Sequence, residues 1–443
     1  MHDNDLRGFI DILRRNGQMH DIEVEVDPVH ELGSVLRACE QDGRAAFFHH
    51  VKGHSMPVVG GVLGSHERIA LALGCSREQL RAVVGAAASS PMLPTVVEDP
   101  APSQEVVDDD VDLSNLPVPV HAPDDAGPYI NAGVVISRDP HSGRHNLAFV
   151  RLQVVGKNRT GVNINLWRHM KDFLDRAEAE DQNLPFCVAI GVDPALMMAA
   201  AFRYDGDEYE IAGALRGEPV PLVQARTCDV LVPAFAEFIL ECEVRAGERV
   251  TEGPMAEYTG HYSGTTQQPL GSVKVITHRK DPIFQTIAGA SFEHLILGNA
   301  LTREPYLEAV TRRLSNRVKD VHLPPYGSGF MALVALESPR PGDARNAAVA
   351  ALNSHVNVKT VIVLDSDVDL FNPSEVLWAV ATRVRWDRDV VVIPGALGNE
   401  LDPSADEHGV LTKMIIDATL GSDRTRTYKK VTYPSLDLQK YLG

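Results

Sequence analysis

Arg151, Glu252 and Glu257 are the residues whose types and spacing best suit a chemistry. They supply one permanent cation and, in the run Glu252-Gly-Pro-Met-Ala-Glu257, two carboxylates close in sequence. Such a set can hold a carboxylate substrate and move a proton, because two acids forced into one site do not both ionise readily, and one of them can hold a proton near neutral pH. The same residues also fit a plainer description, a strand arginine salt-bridged to turn glutamates inside a barrel. A second set is softer. His169 falls on the apolar side of a helix, where a lone histidine is more often a satisfied core residue than a ligand. With Asn146 and the acidic pair Glu208 and Glu210 it would make a hard-cation site suited to Mg or Mn.

The elements that must position these groups follow from periodicity. Helical patterns over Leu6–Arg15, Val29–Gln41, Glu67–Ala72 and Arg77–Ala87 alternate with extended patterns over Ile22–Val26, Ala45–Val51 and Met56–Val62, an α/β unit. The stretch from Pro91 to Pro128 is rich in Pro and Asp and reads as a linker running over the surface. From Tyr129 the pattern turns strand-rich, over Ile130–Arg138, Asn146–Val155, Pro185–Val192, Pro219–Gln224, Phe238–Val244 and Gly271–His278. That spacing predicts a barrel-like antiparallel domain, interrupted by a helix over Trp167–Ala179 whose apolar face is Met170, Phe173, Leu174 and Ala177. In the strand over 146–155, Arg151 and Gln153 share the face of Leu147 and Phe149. The last third returns to α/β alternation, with a strand at Val358–Leu364, an Asn372-Pro373-Ser-Glu375 helix start running through Arg383, and a strand at Val390–Ile393.

Composition narrows the classes of function. The 443 residues are 44% hydrophobic and 23% charged, as in an ordinary globular protein. A formal charge of −18 argues against nucleic acid and against an anionic membrane surface, while leaving a small anionic substrate to whatever local arginine meets it. Five scattered cysteines without a Cys-x-x-Cys, no basic and apolar leader, and no apolar run of membrane-spanning length point to a cytoplasmic protein with reduced thiols. There is no Walker loop, no Gly-x-Gly-x-x-Gly, no His-Glu-x-x-His and no Gly-x-Ser-x-Gly. Asp365-Ser-Asp367-Val-Asp369 begins like a calcium loop, but Leu370 and Val376 stand where glycine and glutamate are needed, which leaves strand-end and turn chemistry.

Taken in order, several stretches resemble the UbiD family of prenylated-flavin-dependent decarboxylases. They are Val51-Lys-Gly-His-Ser-Met-Pro-Val-Val, Gly127-Pro-Tyr-Ile-Asn-Ala-Gly-Val-Val, Asn146 to Arg151 followed by Lys157-Asn-Arg-Thr-Gly, Glu208-Tyr-Glu-Ile-Ala-Gly-Ala-Leu-Arg-Gly-Glu, and Glu252 to Glu257. The block from Asp365 to Arg383, Lys413-Met-Ile-Ile-Asp-Ala-Thr and Asp437-Leu-Gln-Lys-Tyr-Leu continue the match to the C-terminus. The resemblance implies an N-terminal α/β domain (1–110, with linker to about 128), a flavin-reductase-like split β-barrel that binds the cofactor (129–310), and a C-terminal α/β oligomerisation domain (311–443) whose last helix packs across a dimer.

For the site, it implies that Arg151, Glu252 and Glu257 are a Glu-Arg-Glu catalytic network. Glu257 would donate the proton, and Arg151 would orient the substrate carboxylate and hold Glu252. The reaction would be reversible non-oxidative decarboxylation by way of a covalent bond to prenylated FMN. Asn146, His169 and Glu208, preferred to Glu210 on register, would bind Mn2+ (or Mg2+) at the flavin phosphate, with K+ or Na+ nearby. Asn131, Phe149, Val150, Arg168 and Lys413 fall where the family contacts the cofactor. Asn131 and Arg168 depart from the threonine and glutamine common there. His294 and Arg303 match members that act on furan or pyrrole acids, so the implied substrate is 2,5-furandicarboxylate or pyrrole-2-carboxylate, with hydroxybenzoate or cinnamate-type acids as the alternative. An ordinary flavin reductase and a non-catalytic carboxylase subunit are the competing classes. The implied partners are a flavin prenyltransferase that supplies the cofactor and further copies of the chain, as a homodimer or homohexamer.

Overall fold

A computed structural model describes residues 5–98, 100–164, 169–420, 430–431, 433, 436 and 439–442. By packing, the chain divides into residues 1–305 and 306–443.

In the first unit, the helix Leu6–Arg15 begins where the Asp5 carboxylate accepts the Gly8 N–H at 2.8 Å, and it buries Leu6, Phe9, Ile10 and Leu13. A four-stranded sheet follows, in the order Met19–Ile22, Ala45–Phe48, Val58–Gly60 and Phe284–Thr286. Its last strand comes from far along the chain and leads directly to His294.

Nine strands among the described residues form one curled, half-barrel sheet. Its order runs Tyr129–Ile130, Leu152–Gly156, Arg159–Val162, Thr266–His278, Phe238–Glu252, Leu184–Ile190, Val134–Arg138, His145–Phe149, with Val106–Asp108 also pairing on Thr266–His278. The alternation of side chains loads two cores. Val134, Ile136, Cys187 and Ala189 enter one apolar cluster, while Val135, Phe186, Val188 and Ile190 enter the other. The helix His169–Ala179 lays Met170, Phe173, Leu174 and Ala177 on the second cluster. Each of the three large side chains in that stripe contributes roughly 1.5–3 kcal/mol by burial.

Two expectations need correction. The single strand read over 146–155 is two, His145–Phe149 and Leu152–Gly156, and they sit near opposite ends of the sheet order. A step of three residues spans at most about 10 Å, so the sheet must curl until its ends approach, with Val150 and Arg151 bridging the seam. Arg151 is therefore not a mid-strand residue. The Pro- and Asp-rich segment is not a surface linker either. Val111, Leu113, Leu116 and Val118 are buried, and Val106–Asp108 completes the sheet.

The second unit holds a five-stranded sheet, ordered Val318–His322, Met331–Leu336, Thr360–Asp365, Val410–Asp417, Val390–Leu397, with a parallel centre and antiparallel edges. Pro373–Arg383 is a helix capped by Asn372, whose side chain accepts the Ser374 N–H at 3.0 Å. Arg383 pairs with Asp365 at 2.9 Å and Asp367 at 2.8 Å, so the acidic run is tied down as strand-end chemistry.

Candidate active site

Arg151 lies at the sheet seam and gathers both glutamates. Glu252 ends the long strand Phe238–Glu252 and is fully buried. Its Oε1 accepts Arg151 Nε at 2.8 Å, and its Oε2 accepts Arg151 Nη2 at 2.9 Å and Asn163 Nδ2 at 2.8 Å. Both oxygens are thereby committed in a bidentate pair. Glu257 stands in the loop beyond, where its Oε1 accepts Arg151 Nη1 and its Oε2 faces His294 Nε2 at 3.9 Å. Arg151 Nη2 also donates to Ser263 Oγ at 3.1 Å, so four of the five guanidinium N–H groups are used and one on Nη1 has no acceptor among the described residues. Burial alone would lower the Arg151 proton affinity; hydrogen bonding to Glu252 and the charges of both glutamates raise it above the ordinary value.

The loop that presents Glu257 is pinned at several points. Ser263 Oγ accepts the Met255 N–H at 3.1 Å, Asp125 Oδ1 accepts the Ala256 N–H at 2.8 Å, and the Glu257 N–H donates to His261 O at 2.9 Å. Gly253 has φ +88°, and a Cβ there would stand 2.4 Å from Gly264 O, so the turn between the two acids accepts only glycine. A Cβ on Gly289 would lie 2.3 Å from Ala256 O, which lets the segment leading to His294 close on the Glu257 loop. Gln153 Oε1 accepts the Gly253 N–H at 3.1 Å. The buried Tyr129 phenol is pushed well above its ordinary range by burial and by the Glu252 charge. His294 is half-buried, its ring edge-on to Tyr258 at 5.8 Å, and burial lowers its proton affinity against the opposing pull of Glu257. Ala256, His261 and Tyr262 border a cavity of about 240 Å³ that Arg37, His121 and Gly289 also line.

In the second set two side chains meet, and the third bonds to the backbone beside them. Asn146 Oδ1 and His169 Nδ1 share a hydrogen bond of 3.1 Å, and Glu208 Oε2 accepts the N–H of Leu147, next to Asn146, at 2.9 Å. Glu210 is less buried, and its backbone carbonyl takes the Met92 N–H. Burial pushes Glu208 up to about 8, outweighing the opposing pull of the Leu147 N–H and of the Arg144 charge. Among the described residues no cluster of three His, Cys, Asp or Glu side chains is close enough to hold an ion. The set here is one amide oxygen, one imidazole and one carboxylate.

This geometry sits on sequence that matches three consecutive family models. They are the N-terminal (residues 10–87), Rift-related (95–291) and C-terminal (296–418) domains of 3-octaprenyl-4-hydroxybenzoate carboxy-lyase, or UbiD. The chain belongs to the UbiD family. Like its decarboxylase relatives, it is a carboxy-lyase. It is similar to the UbiD-class enzyme HmfF from Pelotomaculum thermopropionicum in complex with FMN (38% identity, 99% of this chain and 100% of that one, TM-score 0.95). An evolved dimeric form of HmfF, in complex with prFMN, matches at 36% identity and a TM-score of 0.90, again over 99% and 100%. The 3,4-dihydroxybenzoic acid decarboxylase AroY of Klebsiella pneumoniae is 30% identical over 99% of both chains, with a TM-score of 0.93. The anhydromevalonate phosphate decarboxylase of Methanothermobacter thermautotrophicus is 33% identical, covering 96% of this chain and 99% of its own. No described helix is long and apolar enough to cross a membrane.

Among the described residues, part of the set that the resemblance implies has donors of the kind a flavin and a divalent ion would need. Asn131 donates to Ile287 O at 3.2 Å while its Oδ1 is buried with no partner among the described residues, an acceptor in the segment expected to meet the flavin. Phe149 and Val150 precede Arg151 at the seam, Val150 buried and Phe149 half-buried. The hard donors of Asn146, His169 and Glu208 fit a divalent ion, which would balance the buried Glu208 charge. Arg168 lies outside the described residues. Lys413 is in the second unit, buried, with Nζ donating to Val356 O at 3.1 Å, and burial lowers its proton affinity. Arg303 is half-buried just beyond the helical turn 296–300, its N–H on Ala300 O at 3.1 Å. Asn163, Ser263 and Tyr129 were not among the residues singled out from sequence. The polar residues in Val162-Asn163-Ile164 and in the turn before Thr265 were the available signal, but only the fold shows that they meet Arg151.

Proposed function

We propose that the chain catalyses reversible non-oxidative decarboxylation of an aromatic or heteroaromatic acid, with Glu257 as the proton donor. The observation that carries this reading is the asymmetry of the two glutamates. Glu252 is fully buried with both oxygens engaged, whereas Glu257 has one oxygen on Arg151 and the other directed at His294. Only Glu257 can exchange a proton with a bound ligand without dismantling the Arg151 pair. Prenylated FMN, when bound, supplies the electron sink for the carbon that loses CO2, a task side chains do not perform.

Arg151 fixes Glu257 and offers one remaining N–H to the substrate carboxylate. Its main role is thus to hold the acid, with orientation of the substrate shared by other groups. Asn146, His169 and Glu208 would hold Mn2+ or Mg2+, with K+ or Na+ nearby, and Asn131, Phe149, Val150 and Arg168 would hold the flavin. The N-terminal domain (1–110), the flavin-binding domain (129–310) and the C-terminal domain (311–443) would divide these tasks. A flavin prenyltransferase would supply the cofactor, and the chain would work as a homo-oligomer in the cytoplasm. The dimeric form among its relatives supports the oligomer.

For the substrate we favour a five-membered ring acid, 2,5-furandicarboxylate or pyrrole-2-carboxylate. Support comes from His294, whose lowered proton affinity leaves a neutral imidazole to hydrogen-bond a polar ring beside Glu257. Arg303 is assigned to a second acid group. The test is CO2 release from a panel of furan, pyrrole, hydroxybenzoic and cinnamic acids, using protein made together with a flavin prenyltransferase. Activity confined to cinnamic acids would reject the polar pocket, and no activity from flavin-loaded protein would reject the decarboxylase reading.

A further inference from the structure

The short helix Phe292–Leu295, which carries His294, is held by two carboxylates, one from elsewhere in the first unit and one its own. Glu40, on the helix Glu31–Gln41 and nearly fully buried, places Oε1 on the N–H of Phe292 and, at 3.2 Å, on the N–H of Glu293. These are the first two N–H groups of the helix, which have no partner within it. Glu40 Oε2 pairs with Arg37. Glu293, itself buried, reaches the other way. Its Oε2 accepts the Gly61 N–H at 2.9 Å and its Oε1 the Leu63 N–H at 2.7 Å. Arg68, buried with Nη1 on Gly43 O at 2.5 Å, lends its charge to both acids. The turn into the helix is constrained as well. Ala290 has φ +57°, a left-handed conformation that a residue with a side chain keeps only where its surroundings enforce it.

Successive helical residues point about 100° apart, so anchoring Glu293 and the helix start determines where His294 points. Its Nε2 stands 3.9 Å from Glu257 Oε2. We infer that Glu40 is a positioning residue for the reaction: by holding the start of this helix it sets His294 against Glu257. The inference rests on the proposed role of Glu257 and extends it to a residue more than 200 positions away in sequence.

The test uses the flavin-loaded enzyme. Glu40→Ala leaves two N–H groups without their acceptor and should lower kcat/KM for the preferred ring acid roughly 10- to 100-fold, as an ångström-scale misplacement does. Glu40→Gln keeps an acceptor oxygen and should recover most of that loss. In a His294→Ala background, Glu40→Ala should cost nothing further, because the group it positions is gone. Far-UV circular dichroism and flavin absorbance monitor folding and loading. If Glu40→Ala costs as much with His294 removed as with it present, or if Glu40→Gln restores nothing, the positioning role is overturned. Near-normal turnover of Glu257→Gln would instead remove the acid–base reading itself, so the two failures are distinguishable.

Discussion

Replacing Arg151 with Met should be among the most destabilising single changes in the first unit. Glu252 is fully buried and takes two hydrogen bonds from the guanidinium, so Arg151→Met leaves a carboxylate in the interior with the Asn163 amide and the Tyr129 phenol beside it but no cation from this pair. Stranding one member of a buried ion pair costs about 3–5 kcal/mol. Glu252→Gln should be milder, about 1–3 kcal/mol, because Glu257 remains to balance the arginine. The double variant Arg151→Met, Glu252→Gln removes both charges and should recover about 2 kcal/mol of the summed single costs, within the range seen for contacting residues. Urea unfolding followed by far-UV circular dichroism on flavin-free protein at neutral pH reads all three. A cost below about 1 kcal/mol for Arg151→Met, or strictly additive changes in the double variant, would refute the interdependence read from the geometry.

Glu257→Gln should lower turnover by on the order of 10²- to 10⁴-fold while the flavin absorbance of the purified protein is retained; loss of the flavin along with activity would point to a structural role. Glu208→Gln removes the carboxylate charge offered to a divalent ion and should reduce the manganese that co-purifies, measured by inductively coupled plasma mass spectrometry, with the circular dichroism spectrum unchanged. Equal metal content in the two proteins would count against the assigned ligand. Burial raises Glu293 to about 7 from its ordinary 4.5, so the folded protein keeps a proton that the unfolded chain releases between those values. Its contribution to stability is then full below about pH 4.5 and is lost, to a total of about 3 kcal/mol, as pH rises through 7. Glu293→Gln should flatten that slope in urea midpoints taken from pH 5 to 8, and an unaltered slope would disprove the assignment.

Much of the local structure was legible because it depends on neighbours in sequence. The helices Leu6–Arg15, Arg77–Ala87 and Pro373–Arg383 begin and end where amphipathic spacing and capping residues place them. What depends on partners far away was not. The break at Val150 and Arg151 looks like continuous strand in sequence, because nothing local says that its two halves pair at different ends of a curled sheet. Pro- and Asp-rich composition suggested a surface path for the segment before Tyr129, yet the open side of the strand Thr266–His278 takes up Val106–Asp108 as a partner. Glu40 and Glu293 carried no motif. Their importance lies in which backbone N–H groups they meet, and only the assembled fold decides that.

The division of labour between the glutamates follows from the hydrogen-bond inventory of one side chain. Arg151 has five N–H groups, and Glu252, Glu257 and Ser263 take four. A guanidinium free of Glu252 would meet Glu257 or a substrate carboxylate with its whole charge and both edges of its fork, a geometry that binds tightly and releases slowly. Glu252 occupies one edge and neutralises the cation. On the proposed role, a proton gained or lost at Glu257 would take the trio only between neutral and singly negative, so neither state would leave a large uncompensated charge in the partly buried seam. The arginine is therefore fixed in place by one acid in order to orient the other. The single N–H it has left among the described residues is too little to clamp a substrate by itself, which is why, on the reading proposed above, the placement of His294 and of the helix that Glu40 holds would bear on the chemistry at Glu257.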